Sequence, residues 1–251
     1  MKIEAVTVCI GYSHFLKQII ENRHEVDRWV IVTHKDDVMT RRLCRQNDIE
    51  TVFSDRVFHD APFAKGRAVN DGLKVLDKDA WILHTDCDML LPKNMKKEME
   101  DHLDPKCLNY TIRRFKGAMP DYLKEKTDDR LAINTDDRDE VMWVCGGPIA
   151  PELAPEEYHE LNRRLGLDEN LLLGPSEYTP RPYGYFQLWH VPTTKVRKYS
   201  EISSNADIDD VYTSYKFYPK WNLLPIKVYD LNPWASNWDG PDHTALARIS
   251  N

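Results

Sequence analysis

No apolar run in the chain comes near the roughly 18 residues that a membrane-spanning helix needs, so a helical membrane span is excluded. Glu4 already stands where a secretory leader needs apolar residues, and the expectation is a cytoplasmic protein. Cysteine is scarce: Cys9, Cys44, Cys87, Cys107 and Cys145 are odd in number, widely spaced and without a C-x-x-C pair. That pattern argues against a disulfide framework and a structural zinc site, leaving buried thiols as the expectation. With 10 Gly and 15 Pro in 251 residues, collagenous and low-complexity classes are excluded too. Positive charge is in deficit, 34 Lys and Arg against 41 Asp and Glu, and the net charge of −7 disfavours indiscriminate nucleic-acid binding. What remains is an ordinary globular composition, 41% hydrophobic and 30% charged, in a chain long enough to bury a sizeable core.

The first ninety residues alternate short apolar runs with segments of helical spacing. Ile3–Ile10 reads as a strand, followed by the turn Gly11-Tyr12-Ser13 and a helix carrying Phe15, Leu16, Ile19 and Ile20. Arg28–Thr33 is a second strand, Asp37–Asn47 a second helix and Glu50–Ser54 a third strand. Lys65–Leu76 is a third helix, and Ala80–Thr85 a fourth strand closed by Leu91-Pro92. Such alternation predicts an α/β fold with a doubly wound, mainly parallel sheet and a ligand crevice at the carboxyl ends of its strands. Beyond Pro92 the pattern loosens into a helix at 94–103, strands at 108–114 and 141–145, an acid-rich loop at 127–140, a helix at 155–165 and a turn-rich stretch at 174–182. More than half of the aromatic residues lie in the last third. No linker separates domains, so 1–251 reads as one domain with a nucleotide-binding half (1–92) and a mixed half (93–251).

Asp86 and Asp88 stand two residues apart at the end of a buried strand, so their side chains lean to one face if the strand geometry persists. Two like charges crowded there raise each other's pKa, and a divalent cation held by oxygen ligands relieves them. Such an ion can clamp a diphosphate and neutralise the charge growing on a leaving group. Solvated turn aspartates are the plain alternative.

Three features in order resemble a GT-A fold glycosyltransferase of the family 2 type: the first strand running into Gly11-Tyr12-Ser13, the helix Lys65-Gly66-Arg67-Ala68-Val69-Asn70-Asp71-Gly72-Leu73, similar to K-x-x-A-x-N-x-G-L, and D-x-D at Asp86-Cys87-Asp88. The resemblance implies a nucleoside-diphosphate sugar donor, a UDP sugar, with Mn²⁺ or Mg²⁺ as cofactor. It places Ile10, Gly11 and Tyr12 around the base, Asp36 or Asp37 on the base, and Lys65 or Arg67 near the pyrophosphate. Asp86 is placed on ribose or metal and Asp88 on metal, while Gly146 and Gly147, after the strand at 141–145, join the nucleotide-binding set. Asn70 and Gly72 have a plainer use, close packing of helix on strand.

In the second half, Gly184-Tyr185-Phe186-Gln187-Leu188-Trp189 is similar to the G-x-F-Q segment of some galactosyl- and N-acetylgalactosaminyltransferases. By that likeness Tyr185, Phe186, Gln187 and Trp189 form an acceptor wall; a core strand of large residues is the alternative. Asp207-Ile208-Asp209-Asp210 sits where the family keeps its acidic catalytic pair, which implies Asp210 as the base of an inverting transfer, with Asp209 as substitute. Helix capping is the competing use of these acids. Val228-Tyr229-Asp230-Leu231 and Asn237-Trp238-Asp239-Gly240 resemble a related H-L-G…N-W-x-G-R ending, with Asp230 in place of the metal-binding His and Pro241 in place of the Arg. Aspartate is an acceptable hard ligand, and His243 is a further candidate.

Haloacid-dehalogenase-like phosphatases also carry D-x-D, but on the first strand, whereas here Met89-Leu90-Leu91-Pro92 closes the fourth. A nucleotidyltransferase needs a Gly- and base-rich phosphate loop, and Ile10-Gly11-Tyr12-Ser13-His14 offers one Gly and no Lys or Arg. A binding module that kept the fold without turnover is the non-enzyme reading. The acceptor is a hydroxyl group on a glycan, a small molecule or a modified DNA base; Lys106, Arg113, Arg114, Lys116, Lys124 and Lys126 form the basic stretch that suggests the last.

Overall fold

The computed structural model describes residues 1–59, 63–111, 113–116, 185–201, 206–217 and 220–231. The early alternation is realised as β1 (Ile3–Val8), α1 (Ser13–Gln18), β2 (Arg28–Thr33), α2 (Val38–Gln46), β3 (Glu50–Phe53), α3 (Lys65–Leu73) and β4 (Trp81–Thr85). After these come the two-residue β5 (Met89–Leu90), α4 (Met95–Met99), β6 (Leu108–Tyr110) and β7 (Arg113–Lys116). The later described elements are β8 (Phe186–His190), α5 (Val191–Thr194), α6 (Ala206–Tyr215), β9 (Trp221–Leu223) and β10 (Lys227–Asp230).

Among the described residues, seven strands make one sheet in the order β3-β2-β1-β4-β8-β6-β9. Its first four run parallel, β8 is antiparallel to both β4 and β6, and β9 is parallel to β6. The α/β class and the doubly wound, mainly parallel order are therefore as expected, with the mixed half entering through β8. Every residue of β1 is buried and β2 is buried from Trp29 onward, the near-continuous apolar pattern of strands covered on both faces. At the edge, β3 is partly exposed throughout. Connections leave β1 toward β2 on one side while β4 takes the other, so the crevice rule points to the carboxyl ends of β1 and β4.

Two elements depart from the sequence reading. The stretch 108–114 is not one strand: β6 pairs in the main sheet, while β7 joins a second sheet of order β5-β10-β7. Thr111 marks the crossing, its hydroxyl donating 2.6 Å to the Ile226 carbonyl and so fixing the chain between the sheets. The helix expected at 94–103 is a short α-helix continued as a 3₁₀ turn at Glu100–His102.

Helix α3 lies against the sheet because Gly72 allows it. A Cβ there would meet Val6 Cγ2 at 2.5 Å and Val32 Cγ2 at 2.7 Å, closer than packed carbons approach. The plainer reading of Gly72 is thus the observed one.

Candidate functional site

The amino end of α3 is the centre of a buried polar cluster. Lys65 is 3% exposed, and its Nζ lies 2.5 Å from Asp86 Oδ1 and 2.8 Å from Asp210 Oδ2. Burial works against the ammonium, but Asp210 and Asp86 more than offset it and hold the pKa well above the usual lysine value. Next to it, the Gly66 amide donates 2.9 Å to Asp209 Oδ2, satisfying one of the helix's open N–H groups with a buried carboxylate. A Cβ on Gly66 would collide with the Ser200 carbonyl oxygen and come within 2.8 Å of Asp209 Oδ2. Consecutive residues of α6, Asp209 and Asp210, thus grip consecutive residues of α3.

The rest of the helix motif is used as well. Asn70 Oδ1 accepts from the Tyr199 amide at 2.7 Å, and its Nδ2 donates to the Tyr199 carbonyl and to Glu201. Asp71 accepts from Ser54, Arg56 and Lys74. The sequence offered Lys65 as a phosphate contact or an exposed first-turn cation; its place is an enclosed ion-pair centre. Arg67 is partly exposed and donates to the His59 carbonyl.

Asp86 and Asp88 follow β4 directly, at the crevice. Asn22, buried, clamps the turn from below: its Nδ2 donates 2.8 Å to the Met89 carbonyl and its Oδ1 accepts from the Leu91 amide at 2.9 Å. On the other side β10 pairs with β5, setting Asp230 opposite Met89, and the Leu231 amide donates 2.8 Å to the Asp88 carbonyl. The backbone of Asp230 is therefore next to that of Asp88, although 142 positions separate them in the chain. The backbone of Asp230 thus neighbours the turn that carries Asp86 and Asp88, and carboxylate oxygens are the donor set that Mn²⁺ or Mg²⁺ takes. Asp86 and Asp88 are of the type such an ion takes, although among the described residues no group of three or more His, Cys, Asp or Glu side chains is placed to hold one. Lys65 nevertheless supplies part of the charge relief that the sequence reading left to a cation alone.

Around the loop after β1, Asp37 has a different job from the one expected. Only 3% exposed, it accepts from the Gly11 amide at 2.8 Å, from the Thr40 amide and hydroxyl at 3.0 and 2.7 Å, and from Thr33. It caps α2 and pins the loop, so both its oxygens are committed. Gly11 has φ 74°, a left-handed conformation that suits glycine. Asp36, by contrast, has a side chain 61% exposed at the rim. Tyr12 is half-buried and stacks with Phe15 at 6.0 Å, while the side chain of Ile10 belongs to the core.

No acceptor wall stands on β8. Tyr185, Phe186, Gln187 and Trp189 are 3, 0, 0 and 1% exposed, because β8 is an interior strand covered on both faces. The core-strand alternative holds for this segment. Gln187 instead donates to the Asp210 carbonyl at 3.2 Å and accepts 2.7 Å from the Tyr199 hydroxyl, which also lies 2.6 Å from Asp210 Oδ1. Burial pushes the Asp210 carboxyl up to about 7, with Lys65 pulling it down and Asp86 pushing it further up. His84 is fully buried with its ring 4.9 Å from that of Tyr199; burial and the Lys65 charge push its pKa down to about 3, so the imidazole is neutral.

Sequence reasoning missed Tyr199 and His84, since a lone Tyr in a charged stretch and a lone His inside an apolar run carry no spacing signal. Gly146, Gly147, His243, the segment 237–241 and the expected elements between 127 and 182 lie outside the described residues, as does the basic stretch beyond Lys116.

Against known proteins, no family model and no curated protein matches. Among solved structures, glucosyl-3-phosphoglycerate synthase from Mycobacterium tuberculosis in complex with Mn²⁺, UDP-glucose and phosphoglyceric acid is 15% identical, with a TM-score of 0.35 over 46% of this chain and 44% of that one. The same synthase bound to UDP alone aligns at 14% identity and a TM-score of 0.35, over 47% of this chain and 45% of that one. The chain spans less than half the length of these structures. A mycobacterial protein aligns over 89% of this chain and 65% of its own at 13% identity and a TM-score of 0.45.

Proposed function

We propose that the chain is a metal-dependent glycosyltransferase of GT-A type that transfers a sugar from a nucleoside-diphosphate sugar, a UDP sugar, to a hydroxyl acceptor with inversion. The observation that supports this reading is that the turn Asp86-Cys87-Asp88 follows β4 at its carboxyl end, beside the loop after the parallel β1, and that the backbone of Asp230 lies next to that turn. Acidic residues on neighbouring backbone segments at the crevice of a doubly wound fold suit a cation-bridged diphosphate. Asp88 and Asp230 would hold the ion together with Asp86; when bound, it would supply positive charge against the leaving diphosphate. Asp36, not the committed Asp37, takes the base edge, and Tyr12 offers its ring face. Arg67, partly exposed on α3, remains the cation available to the pyrophosphate.

Asp210 is the base in this proposal, because its carboxyl titrates near 7, where accepting a proton from a hydroxyl is best matched. Lys65 and Tyr199 engage its two oxygens, so it serves once one of them lets go. Asp209, tied to the Gly66 amide, supports the frame.

The test is thermal stabilisation by UDP, GDP, CDP and their sugars, with and without Mn²⁺, in the wild type and in Asp88→Ala. One nucleotide family should stabilise only with Mn²⁺, by about 2.7 kcal/mol at a hundredfold excess over Kd, and Asp88→Ala should abolish it. Absence of any Mn²⁺-dependent nucleotide effect would sink the reading. Slow release of free nucleotide from the donor separates a transferase from a module that only binds.

A further inference from the structure

A second concavity lies away from the acidic turn. Helix α3 starts at Lys65, by the crevice, and ends at Leu73; along its far half the chain leaves a cavity of about 550 Å³, floored by Leu76, Ile82, Trp189 and Val191. The facing wall comes from a tight reversal. After α5, Lys195 takes a left-handed conformation (φ 62°) and its amide donates 2.9 Å to the Val191 carbonyl, which sends residues 196–201 back alongside α3. Trp189 Nε1 donates 3.0 Å to the Val196 carbonyl, and Asn70 on α3 holds the Tyr199 backbone. Floor and wall are therefore tied together, and the space is preformed. Leu73 and Val196 line it and are themselves partly exposed, leaving apolar surface for a guest. Its volume falls inside the roughly 300–1,000 Å³ of small-molecule pockets.

Charge at this cavity runs against that of the whole chain. The net charge is −7, yet the lining sets Arg56, Lys74, Lys78, Arg197 and Lys198 against Asp77 and Glu201. Both of those acids are already engaged, Asp77 by Lys2 at 2.6 Å and Glu201 by Arg56 at 2.9 Å and Asn70 at 2.8 Å. Arg56 and Lys74 are held in turn by Asp71. Lys78, Arg197 and Lys198 remain, all exposed, and among the described residues none of the three has an ion-pair partner. A free inorganic anion would leave the apolar lining unused, and a neutral apolar guest would leave the cations unused. We propose that this cavity binds a small organic anion with an apolar body, the class of medium-chain and aromatic monocarboxylates. The body lies on Leu73 and Val196, and the head faces Lys78, Arg197 and Lys198, whose methylene stems extend the apolar wall. Binding here is independent of the function proposed above, since none of these residues belongs to the crevice.

Isothermal titration of the full chain with octanoate tests the site, with acetate and octanol standing for its two halves. Octanoate should bind one to one, and affinity should climb about two- to fourfold per methylene from butanoate to octanoate. Added salt should weaken it, because the cations are exposed. Arg197→Glu combined with Lys198→Glu, and separately Lys78→Glu, should each lower affinity by about tenfold or more, whereas Lys97→Glu, an exposed change on α4, should not. Absence of saturable octanoate binding, equal binding of acetate or of octanol, or a loss with Lys97→Glu as large as with the cavity variants overturns the proposal. The wild-type series decides even if a variant fails to fold. Excess UDP with Mn²⁺ should leave octanoate bound; competitive displacement would put the anion in the crevice and overturn the second site. Failure of UDP to stabilise the chain at all would count against the transferase reading and leave the cavity standing.

Discussion

The two ends of α3 are anchored by opposite means. At its amino end Lys65 and Gly66 are held by three carboxylates drawn from β4's exit and α6; near its carboxyl end Gly72 rests on valine methyls of β1 and β2. Hydrocarbon packing loses contacts gradually when a volume changes, whereas a buried charge network fails as a unit once one partner goes. The amino end should therefore be the brittle one.

The largest effect is expected at Lys65. Lys65→Ala leaves Asp86 and Asp210 buried without their shared counter-charge and should destabilise the fold by roughly 3–5 kcal/mol in denaturant titrations. Combining Lys65→Met with Asp210→Asn should recover a good part of that loss. Equal damage in single and double variants would show the ends to be less different than argued. Gly66→Ala comes next: its methyl meets a backbone oxygen that cannot swing aside, and a cost near the upper end of about 1–3 kcal/mol, or beyond it, is expected in Tm and urea midpoint.

At the packed end, Gly72→Ala forces Val6 and Val32 apart but gains about 1 kcal/mol of helix propensity, leaving a net loss of roughly 0–2 kcal/mol. If Gly72→Ala proves worse than Gly66→Ala, the contrast is reversed. The mildest perturbation is pH alone. With Asp210 titrating near 7, its ionised form gains ground as pH rises through that value, so nucleotide release from the donor should increase from pH 6 to 8. A rate that is flat or falls over that range would remove Asp210 as the base.

The parallel half was legible because β1, β2 and β4 are buried on both faces and so read as unbroken apolar runs between helical spacings. Boundaries slipped where polar local bonds decide them, as at Thr111, whose side chain turns the chain from one sheet to the other. Motif residues were visible by type and spacing, but their partners were not. Nothing near Lys65 in sequence announces Asp210, 145 positions away. Asp37 and Gln187 illustrate the opposite error: side chains suited to a ligand were already taken by backbone groups and a tyrosine. The backbone pairing that sets Asp230 beside the acidic turn was not anticipated, since strand register across distant segments is not written in any local window.

The placement of β10 also bears on how the molecule is made. Because the strand beside the acidic turn emerges from the ribosome more than a hundred residues after the turn itself, a growing chain can build its parallel strands long before it can complete the crevice. An arrested product ending before residue 227 would hold Asp86 and Asp88 yet lack the edge that braces them. Competence at this crevice thus arrives late in translation.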